Sequence, residues 1–437
     1  MTKPRAVSVH SWPEAILHID GDSFFAACEQ AVHAEYRGKP LVVGGERGIA
    51  TAMSREAKAL GITRGMQNGE IARRFPQCVI VPSDYETYSI FSERMLSIVR
   101  RHTPAVEAYS IDECFADLTG LRKAKRQSYE DIAKTIKSEL QSDLGLTFSL
   151  GLSVNKTMAK VATSWRKPDG FTAIKARHIH YALAKLDVGD IWGIGPQTAA
   201  RLEKLGVKNA LVFAHKSEDW VAKNFSKPQI QIHRELNGGM VKKLELEKAA
   251  PKSISKTKSF TPASTDDSYV FSQLSKNIEN ACIKARRHGM YTDSVSFFLK
   301  TQGFETAGRK ARLSIHTNNP HELLRVARTA FDELFQTGTA YRTTGVRLGN
   351  LRHESAYQPD LFHQHVEVEK LSGIYDIVDQ IDSRFGKHSI YLASSLRAIT
   401  EGNHQGERGT SARRKRDLLS GENSRQRIGI PYLGMVR

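Results

Sequence analysis

Two places in the chain set acidic side chains against apolar runs of strand length. In HIDGDSFF, Asp20 ends the run that begins at Ala15, and Asp22 opens a helical pattern. In EAYSIDECFADL, Asp112 and Glu113 fall near the middle of a segment with the length and apolar content of a strand pair. Carboxylates gathered from separate strands are hard oxygen ligands, the set that Mg2+ prefers over histidine or cysteine. Two such ions about 4 Å apart can stabilise both the attacking and the leaving oxygen of a phosphoryl transfer, which makes Asp20, Asp112 and Glu113 candidate ligands. The plain alternative is that Asp20 and Asp22 cap the helix that follows while Asp112 and Glu113 lie at a solvated turn.

The acids need a strand after residue 15 and a helix in which Phe24, Phe25, Cys28 and Val32 recur at helical spacing. A smaller unit, about residues 34–82, contains the strand LVVGG and the helix-like SREAKALG, and GFTAI at 170–174 reads as a further strand. WGIGPQTAARLEKLGV, residues 192–207, fits a helix-hairpin-helix. There Gly193 and Gly195 can turn tightly enough to aim backbone N–H groups at a DNA phosphate, or can form an ordinary helix–helix turn. LELEKAAPKS, residues 244–253, mixes charges with proline and reads as a tether. Beyond it the order is strand, helix, strand, strand, helix, strand, a split βαβ pattern. Residues 251–352 hold 16 basic against 8 acidic side chains, so much of the positive excess lies here. On a strand, Lys252, Lys256 and Lys258 share a face with Ile254, opposite Ser253, Ser255 and Thr257. Such a row can follow a phosphate backbone or simply guard a sheet edge.

At 437 residues the chain divides into several domains, and its 64 Lys and Arg against 47 Asp and Glu leave +17 at pH 7. That charge suits a nucleic acid. No apolar run approaches the roughly 20 residues of a membrane span, and MTKPRAVSVHSWPE lacks a signal-peptide core, so a soluble intracellular protein is expected. Cys28, Cys78, Cys114 and Cys282 are scattered and indicate neither disulfides nor zinc. The Gly/Ser/Arg-rich end, from GNHQGERGTSARRKRD onward, is expected to be mobile.

Several words in order resemble one family. HIDGDSFFAACEQ resembles the first catalytic strand of Y-family DNA polymerases, YSIDECFADLTG their S-[IV]-D-E motif, and GLSVNKTMAKVATSWRKPDG their third palm motif, with the hairpin following where their thumb belongs. The resemblance spans about residues 15–400 and implies a multidomain α+β right-hand polymerase. The implied parts are a ferredoxin-like palm (1–24 and 84–175), small fingers (25–83), a helical thumb with a helix-hairpin-helix (176–241), a tether (242–252), a split-βαβ little finger (253–353) and a C-terminal extension (354–437).

By that likeness the chain performs template-directed, lesion-tolerant DNA synthesis with two Mg2+, Mn2+ being able to substitute. Asp20 and Asp112 would bridge both ions, Glu113 would bind the one that activates the primer hydroxyl, and the carbonyl of Gly21 would complete the nucleotide-side ion. Phe25 stands at the family's steric gate under the incoming sugar, with Phe24 better suited to the core; a core role for Phe25 stays open. Arg55 and Lys58 occupy the finger positions where the common motif has Tyr and Arg, and Lys167 matches a triphosphate-contacting lysine. QPDLF, through Gln358, Leu361 and Phe362, resembles the bacterial sliding-clamp peptide. The implied partners are primer–template DNA, deoxynucleoside triphosphates and a sliding clamp, with no membrane, in a bacterial cytoplasm at the nucleoid. Subgroup stays open. The motifs resemble the DNA polymerase IV group, whereas 75 residues continue past QPDLF, as in the catalytic subunit of DNA polymerase V, so accessory subunits binding through the extension are not settled. The rival classes are a non-catalytic clamp-linked scaffold, which would lack the acids, and a metal-dependent nuclease, in which a sugar gate and triphosphate pocket have no use.

Overall fold

The computed structural model describes residues 11–247, 249–353, 364–385 and 388–401. The sequence-predicted clamp peptide and the basic tail beyond 401 lie outside them. Two units are compact, one up to residue 248 and one from 249.

In the first unit, β1 (Ile16–Gly21) is buried along its whole length because strands flank both edges and helices cover the sheet. A single turn with Ser23 at φ 52° leads into the helix Phe24–Val32, which turns Phe24 into the core and leaves Phe25 half-buried. The chain then builds a small sheet from β2 (Leu41–Val43), β3 (Ala52–Met53) and β4 (Val79–Val81), in the order β3-β2-β4. Its own apolar cluster of Val42, Ala50, Met53, Ala57, Ile62 and Ile71 holds the helix Arg55–Ala59 against it.

The chain returns to the first sheet through β5 (Val106–Ala108), β6 (Glu113–Asp117), β7 (Phe148–Ser153) and β8 (Phe171–Ala173), giving the order β5-β6-β1-β7-β8. β1 is antiparallel to both neighbours, so Asp20 lies opposite Glu113 on one side and Ser149 on the other. Helices Tyr85–Arg100, Tyr129–Leu144 and Lys156–Ser164 connect these strands. A separate helical cluster follows, reaching from Val154 to Leu236. Within it the helix Pro196–Lys204 has Gly195 at its N-cap and proline at its first position, where a missing N–H costs nothing.

The tether expected from residue 242 is not free at its start. Glu235 accepts the N–H of Lys242 at 2.7 Å, Glu107 accepts that of Glu245 at 2.9 Å, and Met240 and Leu244 pack with Ile16, Phe115, Ala159 and Trp192. Composition flagged a charged linker, but two buried carboxylates and a small apolar cluster seat its first residues against the sheet and the helical cluster.

The second unit follows the sequence-predicted order. β9 (Ile254–Ser264), the helix Asp267–Arg287, β10 (Met290–Thr301), β11 (Thr306–Thr317), the helix Pro320–Leu334 and β12 (Tyr341–Gly349) form a sheet ordered β11-β10-β12-β9. Strand alternation divides its faces: Val295, Phe297 and Leu299 are buried under the helices, while Ser294, Ser296, Phe298 and Lys300 face away. Past β12, residues 388–401 dock on the helix Asp267–Arg287. Ser272 accepts the Ala398 N–H at 2.9 Å, and Lys276 donates to the Ala398 carbonyl at 3.0 Å.

Candidate active site

Period-two alternation puts His18 and Asp20 on one face of β1, and the antiparallel register brings Glu113 beside both. One ligand atom from each of His18, Asp20 and Glu113 lies within 4.8 Å of the others. Asp112 closes the turn into β6: its carbonyl accepts the Gly21 N–H at 2.9 Å, and its carboxylate accepts from the Ser110 hydroxyl. The two acidic segments, 92 positions apart, therefore meet by strand pairing.

Burial raises the Asp20 carboxyl to about 6, against the attraction of Lys167 and with help from the charges of Glu113 and Asp112. Glu113 behaves oppositely. Burial opposes its ionisation, yet hydrogen bonds from His18 and Lys160 and the Lys160 charge outweigh it and hold the carboxyl down to about 2. His18 is fully buried and its pKa is lowered by that burial. A neutral ring satisfies both its contacts, Nε2–H donating to Glu113 Oε2 over 3.2 Å and Nδ1 accepting from Thr163 over 2.8 Å.

The two carboxylates are already neutralised by ammonium groups. Lys167 Nζ lies 2.5 Å from Asp20 Oδ1, and Lys160 Nζ lies 2.5 Å from Glu113 Oε2. An oxygen-rich cluster that draws two cations onto two acids fits a pair of divalent ions.

Phe25 stacks on Tyr88 with ring centres 4.4 Å apart and meets Tyr85 edge-on at 5.5 Å. Arg55 and Lys58 both reach the turn after β1: Arg55 Nη2 lies 3.5 Å from Asp22 Oδ2 while donating to Thr147 Oγ1 at 2.5 Å, and Lys58 Nζ donates to Ser23 Oγ at 2.8 Å. Lys167 pairs with Asp20, and its charge also acts on Lys58. Gly193 has φ 90° in the hairpin, a conformation that favours glycine, and an added Cβ would sit 2.9 Å from Ile232.

In the second unit the lysine row lies differently from its sequence-based reading. Lys252 precedes the strand, and Lys256 and Lys258 pair with the buried Val346 and Thr344. They therefore share the helix-covered side with Ile254 and Phe260, and burial followed by the charges of Lys284 and Arg287 lowers the Lys256 pKa. Parity was right, but which side the helices cover is a tertiary matter. The open face instead carries the cross-strand row Lys310, Ser296, Arg347 and Ser255, with Arg312 beside it. Next along is Gly308, Phe298, Gly345 and Thr257. A Cβ on Gly345 would fall 2.2 Å from the Phe298 ring, so only glycine lets that ring lie across the face. Sequence reasoning missed His18, Lys160 and this face; alternation about β1 and β10 was the available signal for His18 and the face, and Lys160 lies on the helix Lys156–Ser164.

A five-stranded sheet with acids on its central strands, a helical hairpin module and a separate split βαβ unit are together the build of a right-hand polymerase. Residues 19–164 match the impB/mucB/samB family, 251–361 its C-terminal domain, and 182–207 the IMS family HHH motif. The chain is 30% identical over 394 residues to Protein UmuC of Salmonella typhimurium, covering 86% of this chain and 92% of that protein. It is also 30% identical over 391 residues to DNA polymerase IV of Pelotomaculum thermopropionicum, covering 87% and 95%. Among solved structures, a Y-family DNA polymerase chimera superposes with a TM-score of 0.67 at 24% identity, over 78% of this chain and all of that one. The chain belongs to the Y family of lesion-bypass DNA polymerases. No described helix is long and apolar enough to cross a membrane.

Proposed function

We propose that this DNA polymerase extends a primer by two-metal nucleotidyl transfer at Asp20, Asp112 and Glu113, with Mg2+ as the working ion. The carrying observation is the cross-strand pairing of Asp20 with Glu113, beside Asp112, in a cluster already holding two ammonium groups. Two divalent ions bound there would lower the pKa of the primer hydroxyl and neutralise the pyrophosphate. Glu113, kept ionised by His18 and Lys160, is ready to ligate the primer-side ion, and Asp20 and the Gly21 carbonyl the nucleotide-side ion. Lys167, Arg55 and Lys58 lie around the strand-to-helix turn, where cations can receive a triphosphate, and Phe25 presents a ring to the sugar. Purified protein with primer–template, Mg2+ and deoxynucleotides should give extended primer. No product would favour the scaffold reading, and shortened primer a nuclease.

The helical unit's Gly193–Gly195 turn is proposed to meet a DNA phosphate, and the open face of the second unit the duplex. Four basic side chains, Lys300, Lys310, Arg312 and Arg347, with hydroxyls between them, suit a phosphate backbone and require no base reading. Replacing Lys310 and Arg347 together by Ala should weaken binding equally for all sequences. The slope of log affinity against log salt should flatten by about 2. Lys252, Lys256 and Lys258 are left a supporting part at the rim, so a Lys256→Ala slope change as large as the pair's would return the main contact to that row.

The peptide QPDLF is proposed to bind a sliding clamp through Gln358, Leu361 and Phe362, with accessory subunits a further possible use of the extension. Changing Leu361 and Phe362 to Ala should leave unassisted synthesis unchanged and remove clamp stimulation, because the contact acts by tethering the enzyme near the primer end. Product length per binding event, with and without a loaded clamp, reads this. Full stimulation of the variant would rule the peptide out.

A further inference from the structure

Asp22, the second acid of HIDGDSFF, takes no part in the metal cluster and does not cap the helix, since Ser23 holds the cap position. Its side chain is 3% exposed. A carboxylate so deep needs partners, and three surround it. Oδ1 accepts from the Ser149 hydroxyl at 2.7 Å, Oδ2 accepts the backbone N–H of Asp169 at 2.8 Å, and Arg55 Nη2 approaches Oδ2 at 3.5 Å. These partners come from three places: the strand β7, the loop between the helix Lys156–Ser164 and β8, and the finger helix Arg55–Ala59.

The loop is the informative one. It carries Lys167 two residues before Asp169, and Asp169 has φ 59°, in the left-handed region that few non-glycine residues adopt and that Asp tolerates better than most. From the other side, Asp169 Oδ1 accepts from Lys137 at 2.7 Å and from Gln141 at 2.6 Å. The turn is thus held at its backbone by Asp22 and at its side chain by the helix Tyr129–Leu144. Arg55 is fixed in turn by Thr147, whose carbonyl also accepts the Asp22 N–H at 3.0 Å.

We propose that Asp22 is a positioning residue for nucleotide binding: it pins the Lys167 loop beside β1, setting that triphosphate cation in register with the metal-binding acids, while Arg55 is held by its closer partner Thr147. The inference rests on the proposed triphosphate role of Lys167. Asp22 lies outside the cluster of His18, Asp20 and Glu113, so its loss acts on the affinity for the incoming nucleotide through Lys167.

Steady-state kinetics of the full chain on primer–template, with the four members of the cycle formed by Asp22→Ala and Lys167→Ala, test this. Asp22→Ala should raise the deoxynucleotide KM about tenfold while kcat and the DNA Kd change little, and the double variant should match Lys167→Ala alone. Multiplying effects, or a kcat loss without a KM change, would overturn the proposal. Amide hydrogen exchange over residues 166–170 separates the two readings. Faster exchange in Asp22→Ala but not in Lys167→Ala supports the pin even if Lys167→Ala leaves KM unchanged, in which case the triphosphate reading alone fails. Unchanged exchange in Asp22→Ala sinks the pin. Asp22→Asn keeps an acceptor for the Asp169 N–H and should restore both exchange protection and KM. If the alanine variant does not fold, Asp22→Ser, too short to reach Asp169, takes its place in the same comparison.

Discussion

Asp112→Ala and Asp20→Asn should each bind primer–template with nearly unaltered affinity and extend it on the order of 10³-fold more slowly or worse. Both substitutions remove an oxygen proposed to hold the ions that neutralise the transferring phosphate, while the basic surfaces proposed to grip DNA lie elsewhere in the chain. Retained extension by Asp112→Ala would take that residue out of the site. Asp20→Asn carries a second, opposite expectation for stability. Burial raises the Asp20 pKa from 3.8 to about 6, so the folded protein holds a proton that the unfolded chain has lost. The stability that this protonation confers is complete below the unfolded value and is lost as pH rises through about 6. At pH 7.5 the ionised Asp20 therefore costs roughly 3 kcal/mol in the metal-free protein, and asparagine avoids it. Metal-free Asp20→Asn should accordingly melt above wild type at pH 7.5, with the gap narrowing as pH falls through 6 and closing near 4. Added Mg2+ should stabilise wild type and not the variant. Calorimetry at three pH values checks the trend; a gap that is independent of pH would mean Asp20 is not strained. Such a site, destabilised until cations arrive, is the expected trade between stability and function.

Phe25→Ala should admit ribonucleotides, lowering the ratio of deoxyribo- to ribonucleotide incorporation by about 10²-fold. In the proposed gate the ring would exclude a 2′-hydroxyl by occupying its space, so truncation would remove discrimination without adding any attraction. The ring also stacks on Tyr88 and meets Tyr85, and its removal should cost about 2 kcal/mol of stability as packing is lost. Phe25→Leu keeps part of that packing and should give an intermediate ratio. An unchanged ratio in both variants, accompanied by a lower melting temperature, would leave Phe25 as a packing residue only. Phe24, 4% exposed inside the core, should show the reverse pattern, a stability loss with the ratio intact.

Much of the architecture was legible because the sequence is locally consistent. Apolar alternation in SVSFFLK and helical spacing in HELLRVARTAFDELF mark elements whose period alone decides their type, and the second unit contains the expected order from β9 to β12. The acids of HIDGDSFF and YSIDECF stand out in the same way, each at the end or start of a strand. What the words could not say is which side of a strand a helix will cover. Lys256 and Lys258 share a face as alternation requires, yet Val346 and Thr344 opposite them are buried beneath the helix Asp267–Arg287, so the row lies on the covered side. The linker at 242–245 misled for a similar reason: charged composition signals solvent, but Glu107 and Glu235 use its backbone N–H groups as partners for buried carboxylates.

The sequence by itself determined the elements, their order and the chemical types available at the site, because dihedral preference and side-chain periodicity act over a few residues. Only the tertiary structure decided that Asp20 pairs with Glu113, that His18 and Lys160 keep Glu113 ionised, and that Asp22 holds the loop of Lys167. Those relations depend on strand register and on desolvation, which follow from contacts between residues 47 to 147 positions apart, and no local pattern records them.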